Sequence, residues 1–367
     1  MSNEQSEIPN PTPDLQTAIA AFKNFINRIE ENQSIVCLHD SDADGVTAGV
    51  IWEVAMKRLG FENVRRVLPT RERNAFVLST REIIEKAAPD FLFVMDLGSQ
   101  PQEILGKIPV CFVDHHRPGG ALDKDVLISA YNWNPVPNTS LIIYDLCAAL
   151  TDVSGLDWIA AIGAMSDLGE RAPFELLQTA KKLYTAKHLK EATSLVNASR
   201  RAARYEPEIA AQALLKHDNP KDLVNSDAPE VERLREARAE VKHELDEAKK
   251  AAPKFSGNVA LLRINSACQI HPLIAQIWRS RLPAKFIVIC ANEGYQPNRI
   301  NFSARSHSSV NALEFLRSIE LNVTEGSYAQ GHDAATGGSL PPETWNKLLN
   351  KLGFPESVWA QNEQNQS

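Results

Sequence analysis

A chain of 367 residues is too long for one small core and fits two domains of ordinary size. With 43% hydrophobic residues, 23% charged residues and 17 glycines, it is neither a disordered nor a low-complexity sequence. Its formal net charge of −7 argues against a protein that coats duplex DNA non-specifically, although a local basic cleft is compatible with it and bound cations would not enter that count.

The start, Met1 to Pro13, is polar and proline-containing and lacks the basic and apolar regions of a secretory signal, so residues 1–13 are expected to be disordered. Three short apolar runs follow, Ser34 to Leu38, Phe91 to Met95 and Val110 to Val113, each with the length of a buried strand. Helix-like stretches at Val46 to Leu59 and Thr80 to Ala88 separate the first two runs, an alternation that predicts a doubly wound parallel sheet. Each run ends in ionisable residues: His39 and Asp40, then Asp96, then Asp114, His115 and His116. The carboxyl ends of parallel strands form the edge where ligands bind, so these distant segments are expected to converge there.

Trp158 to Met165 is an apolar segment leading to Asp167, and Phe174 to Leu215 reads as helices rich in Ala and Leu, completing a first α/β domain over 14–225. Pro229 to Lys250 has the charged, glycine-free pattern of a connecting helix within 226–252. The runs Val259 to Leu262 and Phe286 to Cys290, flanking a helical stretch around Pro272 to Arg281, open a smaller α/β domain over 253–358, before a frayed tail at 359–367. The five cysteines, Cys37, Cys111, Cys147, Cys268 and Cys290, are widely spaced and mostly in apolar runs, as buried thiols of a reducing compartment would be. No run approaches membrane-spanning length, so the expected setting is cytoplasmic with no membrane partner.

Asp40, Asp42 and Asp44 alternate along Asp40-Ser41-Asp42-Ala43-Asp44-Gly45, and three acids so close repel one another unless cations lie between them. The same pattern also suits an acidic turn capping the helix from Val46. A helix–loop–helix calcium site needs a glutamate at its twelfth position, where this chain has Ile51. Adjacent histidines after an apolar strand, with a second acidic run at the same sheet edge, tip the balance toward metal.

At these residues the chain resembles the DHH phosphoesterase superfamily, which includes RecJ-type exonucleases, nanoRNases, cyclic-dinucleotide phosphodiesterases and family II pyrophosphatases. Asp114-His115-His116 is the tripeptide behind the family name, Asp40 to Gly45 matches its first motif, Asp96 with Gly98 its second, and Asp167 within Gly163 to Gly169 its fourth. The resemblance implies that Asp42, Asp44, Asp96, His115 and Asp167 ligate two divalent ions, Asp96 bridging them and Asp40 or His39 completing the first site. It further implies that His116 faces the phosphate and that Asp114 orients a histidine. The mixed oxygen and imidazole donors favour Mn²⁺, with Mg²⁺ as the alternative.

Ser303 to Ser306 and Gln330 to Gly338 resemble the substrate-binding motifs of the DHH-associated domain, with Ala329 and Gln330 where many relatives carry glycines. Arg305 can pair with a phosphate in a two-pronged fashion, Ser306 and His332 can add polar contacts, and Gly331, Gly337 and Gly338 can let backbone amides approach an anion.

The tri-aspartate first motif is closer to the RecJ-like and archaeal nuclease branch than to nanoRNases, whose first motif usually has a histidine where Leu38 stands here. The first expectation is therefore an exonuclease on single-stranded DNA or RNA. The alternatives are a phosphodiesterase for short oligonucleotides or cyclic dinucleotides, and a replication scaffold with a protein partner; pyrophosphatase activity ranks last. Only a short tail follows the second domain and the candidate stacking aromatics Trp278, Tyr295 and Tyr328 are scattered, so grip on a long strand is expected to be limited.

Overall fold

The computed structural model describes residues 12–323 and 326–354. The expected disorder at 1–13 and the tail at 359–367 thus fall wholly or mostly outside the described residues. The chain divides into two compact units, Met1–Arg200 with Arg204–Ala237, and Arg201–Ala203 with Arg238–Ser367.

The first unit runs α1 (Leu15–Ile26), β1 (Ile35–His39), α2 (Ala43–Arg58), β2 (Val64–Val67), α3 (Leu78–Ala87), β3 (Phe91–Met95), β4 (Val110–Asp114) and β5 (Val126–Ser129). Helices α4 (Thr139–Ala148), α5 (Asp157–Asp167), α6 (Glu175–Tyr184), α7 (Ala186–Arg201), α8 (Pro207–Lys216) and α9 (Pro220–Asn225) follow, and the boundary between the units falls within α10 (Pro229–Ala248).

The five strands are all parallel, in the order β2-β1-β3-β4-β5. This is a doubly wound order whose direction of winding reverses between β1 and β3, the switch point where such sheets bind ligands. Strands β1, β3 and β4 are buried at every position because both sheet faces are covered. Alternate residues serve two cores: Ile35, Cys37, Phe91, Phe93 and Met95 face one, while Val36, Leu38, Leu92, Val94 and Phe112 face the other. Edge strands β2 and β5 were not anticipated, since each has four residues and β2, Val64-Arg65-Arg66-Val67, is half charged. All five cysteines are buried free thiols.

Helix α2 begins at Ala43, three residues earlier than its apolar pattern predicts, because Asp42 caps it by accepting from the amides of Asp44 (3.1 Å) and Gly45 (3.2 Å). Asp44 is thereby a first-turn helical residue. Gly45 lets α2 lie against the end of β1: a Cβ there would sit 2.5 Å from the Asp40 carbonyl oxygen.

The second unit contains β6 (Lys254–Ser256), β7 (Val259–Ile264), α11 (His271–Arg281), β8 (Ile287–Gln296), β9 (Arg299–Arg305), α12 (Ala312–Ser318), β10 (Ser327–His332), β11 (Ala335–Leu340) and α13 (Pro342–Lys351). Its six-stranded sheet has the order β10-β11-β9-β8-β7-β6. Only β7 and β8 pair in parallel, with α11 between them in sequence, and the other neighbours are antiparallel. Phe302, Leu313, Leu316, Trp345 and Leu348 anchor its core. Among the described residues no helix is long and apolar enough to cross a membrane.

Candidate metal centre

Three strand ends meet at the switch point. Asp40 follows β1 and its amide donates to the Met95 carbonyl (3.1 Å), while Asp96 follows β3 and its amide donates to the Val113 carbonyl (3.2 Å). Asp96 has φ 62, a left-handed backbone that Asp and Asn tolerate better than other side chains. Strand β4 ends on Asp114, with His115 and His116 directly after it, and Asp167 arrives from the C-terminal end of α5.

The result is a set of overlapping donor groups, each with its atoms within 4.8 Å of one another: Asp44, His115 and Asp167; Asp40, Asp42 and Asp96; and Asp96, Asp114, His115 and His116. His115 lies at the hub, its Nε2 3.3 Å from Asp96 Oδ1, 3.7 Å from Asp167 Oδ2 and 3.8 Å from Asp44 Oδ2. Asp114 Oδ1 accepts from both the amide and Nδ1 of His116, at 2.7 Å each, and its Oδ2 accepts from the Gly98 amide at 2.6 Å. Asp114 thus fixes the ring orientation of His116.

Helix α4 contributes residues that sequence reasoning missed. The Asp44 carboxylate sits on its N-terminus, accepting from Asn138 Nδ2 (2.6 Å), the Ser140 amide (2.7 Å) and the Thr139 amide (3.0 Å), where the helix dipole also favours negative charge. Thr139 Oγ1 donates to Asp96 Oδ1 at 3.1 Å. Asn138-Thr139-Ser140 reads locally as an ordinary helix cap, and no spacing in the sequence ties it to Asp44.

Gly163 of α5 keeps this arrangement closed, since a Cβ there would lie 2.4 Å from Thr47 Oγ1 and 2.6 Å from Ser140 Cβ. Gly163→Ala is expected to cost about 1–3 kcal/mol through overpacking, outweighing the ~1 kcal/mol by which Ala is the better helix former. The melting temperature and divalent-ion affinity should fall together, because Ser140 holds Asp44. A variant that melts at or above the parent temperature with unchanged affinity contradicts this account.

Negative charge is crowded and largely buried in this cluster. Burial raises Asp44, and the neighbouring Asp96, Asp167 and Asp42 charges raise it further. Burial carries Asp96 up to about 7, and partial desolvation raises Asp167 too, although its side chain is 36% exposed. Burial alone would lower His115, but the hydrogen bond and charge of Asp96, with Asp167 and Asp114, carry it up to about 9. Burial works against protonated His116 too, and Asp114 outweighs it, again to about 9. An imidazolium therefore stands among carboxylates that would otherwise hold protons, which is the demand a divalent cation meets. The carboxylate and imidazole donors fit a hard or borderline divalent ion.

His39 does not join the donors. Its ring is buried, its Nδ1 lies 2.8 Å from the Asp40 carbonyl oxygen and its Nε2 3.4 Å from Arg66 Nη1. Burial, with Arg66 behind it, lowers its pKa to about 3, so it is a neutral packing residue beneath the first motif. Arg73, also unanticipated, pairs with both Asp40 and Asp42, and Arg200 lies 3.7 Å from Asp42 Oδ2.

In the second unit Arg305 ends β9, its Nη1 donating to the Ala304 (3.1 Å) and Thr336 (3.4 Å) carbonyls. Burial, and then the nearby Arg279 charge, lower its pKa to about 10. Arg279, missed in the sequence, donates to the Ser306 carbonyl (3.3 Å). Ser306 itself is buried and its hydroxyl donates to the Val310 carbonyl at 2.5 Å, so it braces the loop instead of facing a ligand. Gly337 and Gly338 require a correction: they lie within β11, where a Cβ would come 2.3 Å from the Phe302 or Ser327 carbonyl oxygen. Close strand packing, rather than an amide open to an anion, explains them. Gly331 (φ 118) and the exposed His332 close β10 beside the hairpin turn.

Residues 34–165 match the family model described as DHH family, N-terminal domain. The single-stranded-DNA-specific exonuclease RecJ of Escherichia coli K12 is 30% identical over 121 residues, which are 30% of this chain and 21% of that protein. The match therefore spans about a fifth of that relative's length. The structure of RecJ from Thermus thermophilus in complex with Mn²⁺ superposes with a TM-score of 0.67 at 18% identity, covering 96% of this chain and 56% of that one. CDC45 from Entamoeba histolytica gives a TM-score of 0.52 at 11% identity, covering 92% and 98%. Motifs, fold and family model agree: residues 34–165 form a DHH-family N-terminal domain, set in a chain with the RecJ-like fold.

Proposed function

We propose that this protein is a metal-dependent phosphodiesterase that hydrolyses single-stranded nucleic acid from an end, using two divalent ions, Mn²⁺ foremost and Mg²⁺ as the alternative. The observation that carries this reading is the meeting of Asp44, Asp96, Asp167 and His115 at the sheet's switch point, in a donor set that calls for cations. The names of the similar proteins support it, since one is a single-stranded-DNA-specific exonuclease and another was crystallised with Mn²⁺.

Asp44, His115, Asp167 and Asp96 would hold one ion, and Asp40, Asp42 and Asp96 the other. Bound there, such ions activate water and neutralise charge developing on phosphate oxygens. His116, its Nδ1 held by Asp114, would donate a hydrogen bond from Nε2–H to a phosphate oxygen. Within the second unit, Arg305 at the end of β9 would pair with a phosphate group.

A shorter substrate is the second reading, favoured by where the aromatic residues lie. Tyr295 is buried, and Tyr328 packs on the core of its unit with its hydroxyl donating to the Leu316 carbonyl at 2.7 Å, so neither offers a free stacking face. The deciding measurement is a Mn²⁺-supported assay of end-labelled DNA, RNA and dinucleotides in a length series. Stepwise loss of end nucleotides from strands longer than about ten nucleotides is the expected result; cleavage of dinucleotides alone selects the second reading. No hydrolysis of any phosphodiester with Mn²⁺ or Mg²⁺ sinks both.

A further inference from the structure

The two halves of the donor cluster are not equivalent. In the half formed by Asp44, Asp167 and His115, the nitrogen group is an imidazole, which can itself serve as a metal ligand. In the half formed by Asp40, Asp42 and Asp96, the hydrogen-bonded cation is the guanidinium of Arg73, with Arg200 farther off at 3.7 Å from Asp42 Oδ2, and a guanidinium cannot become a ligand and has to leave.

The contacts of Arg73 are extensive. Its Nε donates to Asp40 Oδ1 at 2.7 Å, its Nη2 to Asp40 Oδ2, and the same Nη2 to Asp42 Oδ2 at 2.9 Å. The remaining oxygen of Asp42, Oδ1, is already occupied in capping α2. Every carboxylate oxygen of this pair is therefore engaged by the protein itself. The two-pronged fork on Asp40 is the geometry at which arginine binds carboxylates most strongly.

The loop that carries Arg73 is built to present it. Arg73 has φ 49, a left-handed conformation disfavoured for a long side chain, and its amide closes a turn on the Thr70 carbonyl at 2.9 Å. The Tyr205 hydroxyl holds the loop from the α8 side by donating to the Pro69 (3.2 Å) and Thr70 (3.4 Å) carbonyls, and Arg71 stacks on the Tyr205 ring with 5.2 Å to its centroid. A backbone strained in this way persists where surrounding contacts over-determine it.

We propose that Arg73 is a built-in counter-cation for Asp40 and Asp42 which a divalent ion must displace, so that the centre loads in order. The Asp44–Asp96–Asp167–His115 group fills first and tightly, and the Asp40–Asp42–Asp96 group fills second and more weakly. This rests on the metal-centre reading above and adds to it a residue that sets the spacing between the two affinities. The free guanidinium is a by-product of loading the second ion, so occupancy of that position and the state of Arg73 are linked.

The test is a Mn²⁺ titration of the full chain followed by electron paramagnetic resonance of unbound Mn²⁺, for the parent, Arg73→Gln and Arg73→Lys. Melting curves in chelator establish that each variant folds. The parent is expected to bind two ions with affinities separated by about ten-fold or more, the scale on which groups hydrogen-bonded to ligands tune metal affinity. Arg73→Gln should tighten the weaker site by about ten-fold while the tighter one stays put. Arg73→Lys, which keeps the charge and loses the fork, should fall between. The Arg73 Nε–H resonance should shift with the second equivalent of a diamagnetic ion, Mg²⁺, and not with the first. Equal affinities in the parent, or an unchanged or weakened second site in Arg73→Gln, overturn the inference while leaving the metal centre standing. Failure of the parent to bind any ion overturns the metal-centre reading and this inference with it.

Discussion

Asp96→Asn is expected to abolish phosphodiester hydrolysis and, without metal, to melt at a higher temperature than the parent. Asp96 stands in two overlapping donor groups, one with Asp40 and Asp42 and one with Asp114, His115 and His116, so its loss removes a ligand shared between the proposed ion positions. Several kcal/mol of transition-state stabilisation go with the ions, which corresponds to a fall in rate of about 10³-fold or more. The stability gain comes from the same burial that makes Asp96 useful. Its folded pKa of about 7 lies above the ordinary 3.8. The sign follows: a raised carboxyl pKa is a cost to folding that is absent below the unfolded value, grows as pH rises toward 7 and is full above it. For Asp96 that cost is on the order of a few kcal/mol.

Asparagine carries no charge and keeps an oxygen to accept from Thr139 Oγ1. It also suits φ 62, where Asn is enriched. Alanine at this position would add backbone strain of roughly 1–2 kcal/mol, which makes Asp96→Asn the cleaner variant. Melting curves in chelator at pH 5 and pH 8 test the stability half: the advantage of the variant should be several degrees at pH 8 and shrink at pH 5, where the parent's Asp96 is already protonated. A variant that melts below the parent at pH 8, or one that retains near-normal turnover with Mn²⁺, contradicts the assignment.

Asp114→Asn should reduce kcat by about 10–100-fold, the usual consequence of removing a group that orients an active histidine or ligand. Asp114 accepts from three donors, the His116 amide and ring and the Gly98 amide, and an amide side chain must turn its own N–H groups toward at least one of them. The pH dependence is the more specific signature. Burial alone would lower His116, and Asp114 is what raises it to about 9. The protonated ring is present below that pKa and lost as pH rises through it. Without the Asp114 charge, the His116 ring in chelator should titrate about 1–3 units lower by NMR, the size of shift an adjacent opposite charge produces. A role for Asp114 in packing alone would lower activity and leave that titration in place.

Much of the candidate centre could be read from the chain because its residues are attached to the strongest local signals. Asp40, Asp96 and Asp114 each follow a run of apolar residues long enough to be a buried strand, and parallel strands bring their carboxyl ends to one edge whatever their order. The histidines and the alternating acids carry their own chemistry, so placing them at that edge sufficed to bring the donors together. The second unit was less legible. Gly337 and Gly338 resembled a phosphate loop, yet a glycine is demanded equally by an anion and by a neighbouring strand, and only the ladder of β11 with β9 and β10 distinguishes the two.

What the sequence by itself determined is the set of groups and the end of the sheet on which they gather, since hydrophobic period and strand polarity are local properties. The tertiary structure decided how those groups are held: the winding order that opens the sheet between β1 and β3, the capture of Asp44 by the first turn of α4, the turning of His39 away from the acids, and the fork of Arg73 on Asp40 and Asp42. Each is a contact between segments that approach only after the chain has packed, or a choice among rotamers made by burial and charge. No local pattern can encode such a contact, because the favourable energy of each hydrogen bond or ion pair exists only once its distant partner has arrived.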